Sequence, residues 1–204
     1  MVLYCATTNP GKLKEFRLAA GHYGAGFYRL EPLPGLAEIP PAEENGTTFE
    51  ENAEAKAIYY SRFTGELVLS DDSGLEVDAL EGAPGIHSAY FSGPEATAES
   101  NNRLLLEKLR GVVNRSARFV CVAVLARGGK VIRSFRGEVE GELLEQGRGG
   151  HGFGYDPLFY YPSFALTLAE VEGARKLEVS HRGRALALLF DYLKREAARP
   201  AGQP

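Results

Sequence analysis

An excess of positive charge is missing from this chain: 23 lysines and arginines stand against 27 aspartates and glutamates, a net charge of −4. That argues against a protein that coats nucleic acid through a broad basic face. A local set of donors with a metal ion can still bind a small polyanion on such a background. Long apolar runs are missing too. The longest, Phe119 to Ala126, suits a buried strand and falls far short of the roughly 20 residues of a membrane span. No basic region precedes the first apolar stretch in MVLYCATTNPGK, which reads as a strand rather than a signal peptide, so a cytoplasmic protein is expected. Cysteine is scarce. Cys5 and Cys121 each sit in an apolar, strand-like run and read as two buried thiols rather than a disulfide.

What is present is ordinary for a globular protein. The 204 residues are 44% hydrophobic and 25% charged, enough for one sizeable core or a core with a smaller lobe. Val2 to Thr7 reads as a strand leading into the turn Asn9-Pro10-Gly11, and Lys12 to His22 carries Leu13, Phe16 and Ala20 at helical spacing. Thr48-Phe49-Glu50-Glu51 has the form of a capping box opening a helix with Phe49, Ala53, Ala57 and Tyr60 on its apolar face. Leu67 to Ser70 predicts a buried strand that ends at Asp71-Asp72-Ser73-Gly74, and 101–109 predicts a helix. Arg118 to Arg127 and Lys130 to Glu145 predict two strands joined by the hairpin turn Gly128-Gly129. Ser180 predicts the cap of a final helix bearing Leu186, Leu189 and Leu193. Strands mixed with helices predict an α/β protein with a mixed sheet flanked by helices, in two lobes with a cleft between them. One domain over 1–196 is expected, with 197–204 a frayed tail.

Four segments carry chemistry. Thr7-Thr8-Asn9-Pro10-Gly11-Lys12 places a tight turn at a helix start, where backbone N–H groups and the Lys12 charge would favour a phosphate; an ordinary Asn-Pro-Gly turn explains it as well. Its glycine spacing is too short for the phosphate loop of the large NTPase class. Asp71 and Asp72 alternate across their strand, so at most one is expected to enter a given site, as a hard ligand for Mg²⁺ or as a turn cap. Glu43 and Glu44 lie in a loop and read locally as solvated acids; only a partner such as Asp72 would recruit Glu43 to a metal. Gly149 to Pro157 interleaves four glycines with His151, Phe153 and Tyr155, a backbone suited to close approach with an aromatic face that could stack on a base, worth about 1–3 kcal/mol. Finally, His181 and Arg182 follow Ser180 at the positive end of a helix, where cations are mildly unfavourable, so a base carbonyl or phosphate to bind would justify them.

Taken together, TTNPGKLKEF, TFEENAEAKA, LSDDSGLEVDALEGAPGIHSA, GHGFGYDPLFY and SHRGRALA closely resemble the inosine triphosphate pyrophosphatase (Ham1/RdgB) family, from Val2 to about Leu193. The resemblance implies an elongated α/β fold, a homodimer, and Mg²⁺-dependent hydrolysis of ITP, dITP and XTP to the monophosphate and pyrophosphate. Carried over by position, Thr7, Thr8, Asn9, Pro10, Gly11 and Lys12 would hold the phosphates, and Glu43 and Asp72 would ligate Mg²⁺. Asp72 would also act as the acid/base residue. Ser73 and Lys176 would contact substrate, and Phe153, Gly154, Tyr155 and Asp156 would form the nucleoside pocket, closed by His181 and Arg182.

Two stretches depart from the family pattern. His87-Ser88-Ala89-Tyr90-Phe91 stands where the family reads Tyr-Ser-Ala-Arg-Tyr, and 173–178 lacks the usual acidic run, although Lys176 keeps its spacing from His181. The rival readings are a Maf-type pyrophosphatase acting on modified pyrimidine or 7-methylguanine nucleotides, and a nucleotide sensor without turnover. The SHRG block speaks against the first, and Lys12, Glu43 and Asp72 against the second.

Overall fold

The computed structural model describes residues 1–24 and 26–198. One sheet of seven strands forms the frame, in the order β2-β1-β3-β4-β5-β6-β7. Strand β1 (Val2–Cys5) runs parallel to β2 (Arg29–Pro32) and to β3 (Leu67–Val77). The remaining neighbours are antiparallel: β4 (Ser116–Arg127), β5 (Lys130–Leu143), β6 (Phe159–Tyr161) and β7 (Leu166–Thr167). The sheet is therefore mixed, as the sequence predicts. Gly128 and Gly129, at φ 57° and 79°, close the β4–β5 hairpin in a conformation that suits the twist of the strands.

Helices cover both faces. The helix α1 (Pro10–Tyr23) starts with proline in its first turn and Asn9 as cap. In α2 (Phe49–Tyr60) the Thr48 hydroxyl accepts from the Glu51 amide at 3.1 Å, while the Glu51 carboxylate reaches back to Thr47. Phe49, Ala53 and Ala57 of α2 pack on Val120, Val122, Val124 and Ala126 of β4. On the opposite face α1 and α5 (His181–Ala198) bury Phe16, Leu186, Leu189 and Phe190 against Leu69, Ala123 and Leu125. Ala197 and Ala198, expected in a frayed tail, continue α5; 199–204 lie outside the described residues.

That face carries a second apolar cluster further along the same strands. Leu75 and Val77 of β3, Phe119 of β4 and Val139 of β5 pack there with Phe159 and with Leu105 of α3 (Ala98–Lys108). Between the two clusters the alternation of β3 brings polar residues, Asp71 and Ser73, to the same face. The two lobes meet at this break.

One expectation is corrected. Strand β3 does not end at Asp71-Asp72 but continues to Val77, because Asp71, Asp72, Ser73 and Gly74 pair in register with Ala123, Val122, Cys121 and Val120. The acids are thus in mid-strand. Pairing with β1 stops at Leu69, so the other edge of β3 opens just before the acids.

Candidate active site

That opening is a cleft of about 670 Å³. It is lined by Thr7 to Lys12 from the start of α1, Asp71 to Gly74 from β3, Phe153 to Asp156 from the loop before β6, and Lys176, His181 and Arg182 from α4 (Gly173–Val179) and α5. Asp71 and Asp72 both line it, contrary to the expectation that only one enters a site. They project from opposite faces of β3, and the unpaired edge lets the cleft reach both. A wider cavity, about 1060 Å³, lies behind Gly150 to Gly154 against α3. It holds none of these acids, nor Lys12, Lys176 or Arg182, so the chemistry belongs to the smaller cleft.

The wall built on α1 and α5 is a chain of alternating charge. Lys12 Nζ sits 3.0 Å from Asp71 Oδ1, and Asp71 Oδ2 lies 3.2 Å from Arg182 Nη2. Arg182 Nη1 reaches Glu15 Oε2 at 2.6 Å, and Glu15 Oε1 reaches Lys176 Nζ at 2.8 Å. Lys176 ends the chain on Asp156 Oδ2 at 2.6 Å. Burial alone would raise the pKa of Asp71, but Lys12 and Arg182 outweigh it and hold the carboxyl well below its usual range. Glu15 behaves likewise, held at about 2 against its burial by Arg182 and Lys176. Burial opposes the ammonium of Lys176, yet Asp156 and Glu15 keep its pKa above the ordinary value.

Arg182 is tied further into this chain, since Nη2 also donates to Ser73 Oγ at 2.7 Å. It fixes Asp71 and Ser73 in place while itself lining the cleft. His181 is different. Its ring stacks on Phe119 at 4.7 Å, and its Nδ1 is buried with no partner. Burial, helped by the Arg182 charge, depresses its pKa well below 6.5. Only one of the two residues is therefore a cation, which corrects the pair expected at the start of α5. The helix reaches this site closely because Gly183 lies against the Leu177 carbonyl, where an added Cβ would approach to 1.6 Å.

On the other face of β3, Lys56 Nζ bridges Asp72 Oδ1 at 3.0 Å and Glu44 Oε2 at 2.8 Å. Burial raises the Asp72 pKa, and Lys56 offsets this only in part. Glu43, expected as a metal ligand, is exposed, accepts a hydrogen bond from Asn45 Nδ2 at 3.1 Å, and does not line the cleft. The loop turns so that Glu44 faces Lys56 instead. Asp72 and Glu44 converging on one cation fit Mg²⁺, which takes one or two carboxylates and completes its shell with water and phosphate oxygens. No cluster of three or more His, Cys, Asp or Glu suited to a metal occurs among the described residues.

The loops that carry Thr7 to Lys12 and Phe153 to Asp156 are both internally tied. Asn9 Oδ1 accepts from the Gly11 and Lys12 amides at 2.9 and 3.1 Å, the amides expected to greet a phosphate. Asp156 Oδ2 accepts from the Phe153 amide at 2.8 Å, and the Tyr155 hydroxyl donates to Ser88 O at 2.9 Å. Phe153 is left half-buried, with its ring turned toward Lys176 and Arg182 at 5.5 and 5.6 Å.

Sequence reasoning missed Glu15, Lys56 and the charge pairing of Asp71. A signal was present for two of them. Lys12, Glu15, Phe16 and Ala19 share one stripe of α1, and Phe49, Asn52, Ala53, Lys56 and Ala57 share one stripe of α2. A charge on a buried stripe must have a counter-charge or a ligand.

Comparison with known proteins agrees with this geometry. The Ham1 family model matches residues 3–192. A dITP/XTP pyrophosphatase of Acidobacterium capsulatum is 51% identical over 202 residues, covering 95% of this chain and 98% of that one. One from an Exiguobacterium species is 50% identical over 189 residues, 93% and 95% of the two chains. Among solved structures, the Staphylococcus aureus Ham1 protein aligns with a TM-score of 0.83 at 37% identity, covering 96% of this chain and 100% of that chain. A HAM1 protein from Coxiella burnetii gives 0.84 at 36% identity, with 96% and 99% covered.

Proposed function

The chain belongs to the Ham1 family, and on that premise we propose that it hydrolyses deaminated purine nucleoside triphosphates (ITP, dITP and XTP) to the monophosphate and pyrophosphate, clearing them from the nucleotide pool. The observation that carries this reading is that Thr7 to Lys12, Asp72 and Phe153 to Asp156, far apart in sequence, line one cleft.

In this reading the triphosphate lies along the start of α1, where Thr7, Thr8 and Lys12 meet its oxygens. Lys56 adds a second ammonium from the facing wall. Asp72 and Glu44 would hold Mg²⁺, which when bound supplies positive charge against the phosphate oxygens. Asp72 lies beside the α-phosphate and receives a proton from the water that attacks the α-phosphorus, a role suited to a carboxyl whose burial raises its pKa. Lys12 stabilises charge that develops on the leaving pyrophosphate. Phe153 stacks on the base, and the neutral His181 offers an unpaired ring nitrogen to its polar edge. A site built for a 6-oxo group leaves its own donor unpaired when adenine binds, which can reject ATP by factors of about 10⁴.

The proposal includes a homodimer, on family resemblance, in the cytoplasm and without a nucleic-acid partner. No helix among the described residues is long and apolar enough to cross a membrane. A substrate panel with Mg²⁺ tests the reading: ITP, dITP and XTP should turn over far faster than ATP, dTTP and dUTP. Preference for a pyrimidine nucleotide would move the chain to another specificity. ITP binding without turnover would make it a sensor.

A further inference from the structure

Gly11 is the second residue of α1, and its φ is not among the positive values, so its backbone conformation is one that any residue adopts. Alanine would favour the helix more than glycine does. The reason for glycine lies elsewhere. A Cβ placed on Gly11 would stand 2.5 Å from Cδ1 of Phe153 and 2.8 Å from Cε1 and Cγ of the same ring. All three nearest atoms belong to Phe153. The aromatic of the nucleoside loop thus rests directly on the bare backbone of the phosphate loop.

The ring has little else to fix it. Its backbone is anchored by Asp156, and the loop is tied from behind by Asn102 Nδ2 donating to Gly154 O at 3.0 Å. Phe153 nevertheless lines both the cleft and the wider cavity behind the loop, so no close-packed core backs it. Gly11 forms the floor on which the ring comes to rest, with Lys176 and Arg182 beside it.

We propose that Gly11 is a specificity-determining positioning residue: by lacking a side chain it seats the Phe153 ring, and so couples the phosphate end of the cleft to the base end. This rests on the proposed function for its substrate, a purine nucleoside triphosphate, but not for the contact itself. A side chain at position 11 lifts the ring and spoils its stacking on the base, while leaving Lys12 and the phosphate contacts in place.

The test is a double-mutant cycle of Gly11→Ala with Phe153→Ala, with Phe153→Leu as a smaller partner, read in two ways. In the first, Gly11→Ala raises KM for ITP by about tenfold, the size of a weakened base stack, and leaves inhibition by inorganic tripolyphosphate unchanged. In the Phe153→Ala background the same substitution leaves KM for ITP where it was. The second reading, thermal melting, needs no substrate. Gly11→Ala raises Tm when Phe153 is alanine or leucine, because alanine favours the helix, and lowers it when the phenylalanine is present. Equal effects of Gly11→Ala in both backgrounds, or weakened tripolyphosphate inhibition, would overturn the proposal by assigning Gly11 to the phosphates directly. If the wild-type protein does not hydrolyse ITP, the proposed function fails and the melting cycle still decides whether Gly11 seats Phe153.

Discussion

Asp71 and Asp72 are neighbours in β3, yet their carboxylates belong to separate charge clusters. Asp71 is held between Lys12 and Arg182, at 3.0 and 3.2 Å, and Asp72 lies 3.0 Å from Lys56 on the other face. Strand alternation separates the two side chains, and the open edge of β3 returns both to one cleft. Their protonation differs accordingly. For Asp71, Lys12 and Arg182 overcome burial and keep the carboxyl ionised. For Asp72 burial prevails and the pKa rises. The first is a fixed anion; the second is able to exchange a proton.

Replacing Asp72 by asparagine should therefore remove turnover while sparing the fold. A lost general base lowers kcat by about 10²–10⁴-fold. Melting temperature should hold or rise, because a carboxylate destabilised by burial has been replaced by a neutral isostere. Steady-state kinetics with a melting curve check both. A defect confined to KM would remove Asp72 from the proton transfer.

Asp71→Asn should act mainly on stability. It leaves Lys12 and Arg182 without their shared counter-charge, and breaking a buried ion pair costs about 3–5 kcal/mol. The exposed pair of Asp191 and Arg195 on α5 offers the contrast. Asp191→Ala should change stability by about 0.5 kcal/mol or less. Urea unfolding of the two variants compares them directly, and similar losses would show that the buried chain has no special weight.

Much of this was legible in the sequence, and what was not has identifiable causes. The Gly128-Gly129 hairpin and the Thr48 and Ser180 helix starts depend on residues close in the chain, and all are found as expected. The length of β3 was hidden. Asp-Asp-Ser-Gly reads as a turn, and only its partners on β4, with Lys12, Lys56 and Arg182 as counter-charges, make it a strand. Strands β2, β6 and β7, of 4, 3 and 2 residues, are too short to show a period. Glu43 and Glu44 are alike in type, and the path of their loop decides which one faces Lys56.

Lys56→Met should move the pH dependence of activity. The ammonium lowers the Asp72 pKa, so its loss raises that pKa further. The acidic limb of the kcat/KM profile should shift to higher pH, since a base must be deprotonated to act. A profile that falls uniformly without shifting would mean that Lys56 serves only to bind substrate.

His181 should make the protein less stable in mild acid. Its folded pKa lies well below 6.5, so below that pH the unfolded chain takes up a proton that the native ring does not. Stability from this residue is present above pH 6.5 and is lost as pH falls toward the folded pKa. Stability should fall progressively as pH is lowered through about 6.5. His181→Phe, which preserves an aromatic ring against Phe119, should remove that share of the pH dependence in urea unfolding. An unchanged slope would show that the ring is protonated in the native state.

The central claim is hydrolysis at the α-phosphorus of a deaminated purine triphosphate, and turnover of ITP in heavy-oxygen water tests it most directly. Mass spectrometry should find the heavy oxygen in the inosine monophosphate and none in the pyrophosphate. Heavy oxygen in pyrophosphate would place attack on the β-phosphorus, and its appearance in free phosphate with a diphosphate product would place it on the γ-phosphorus. Either result would contradict the placement of Asp72 beside the α-phosphate.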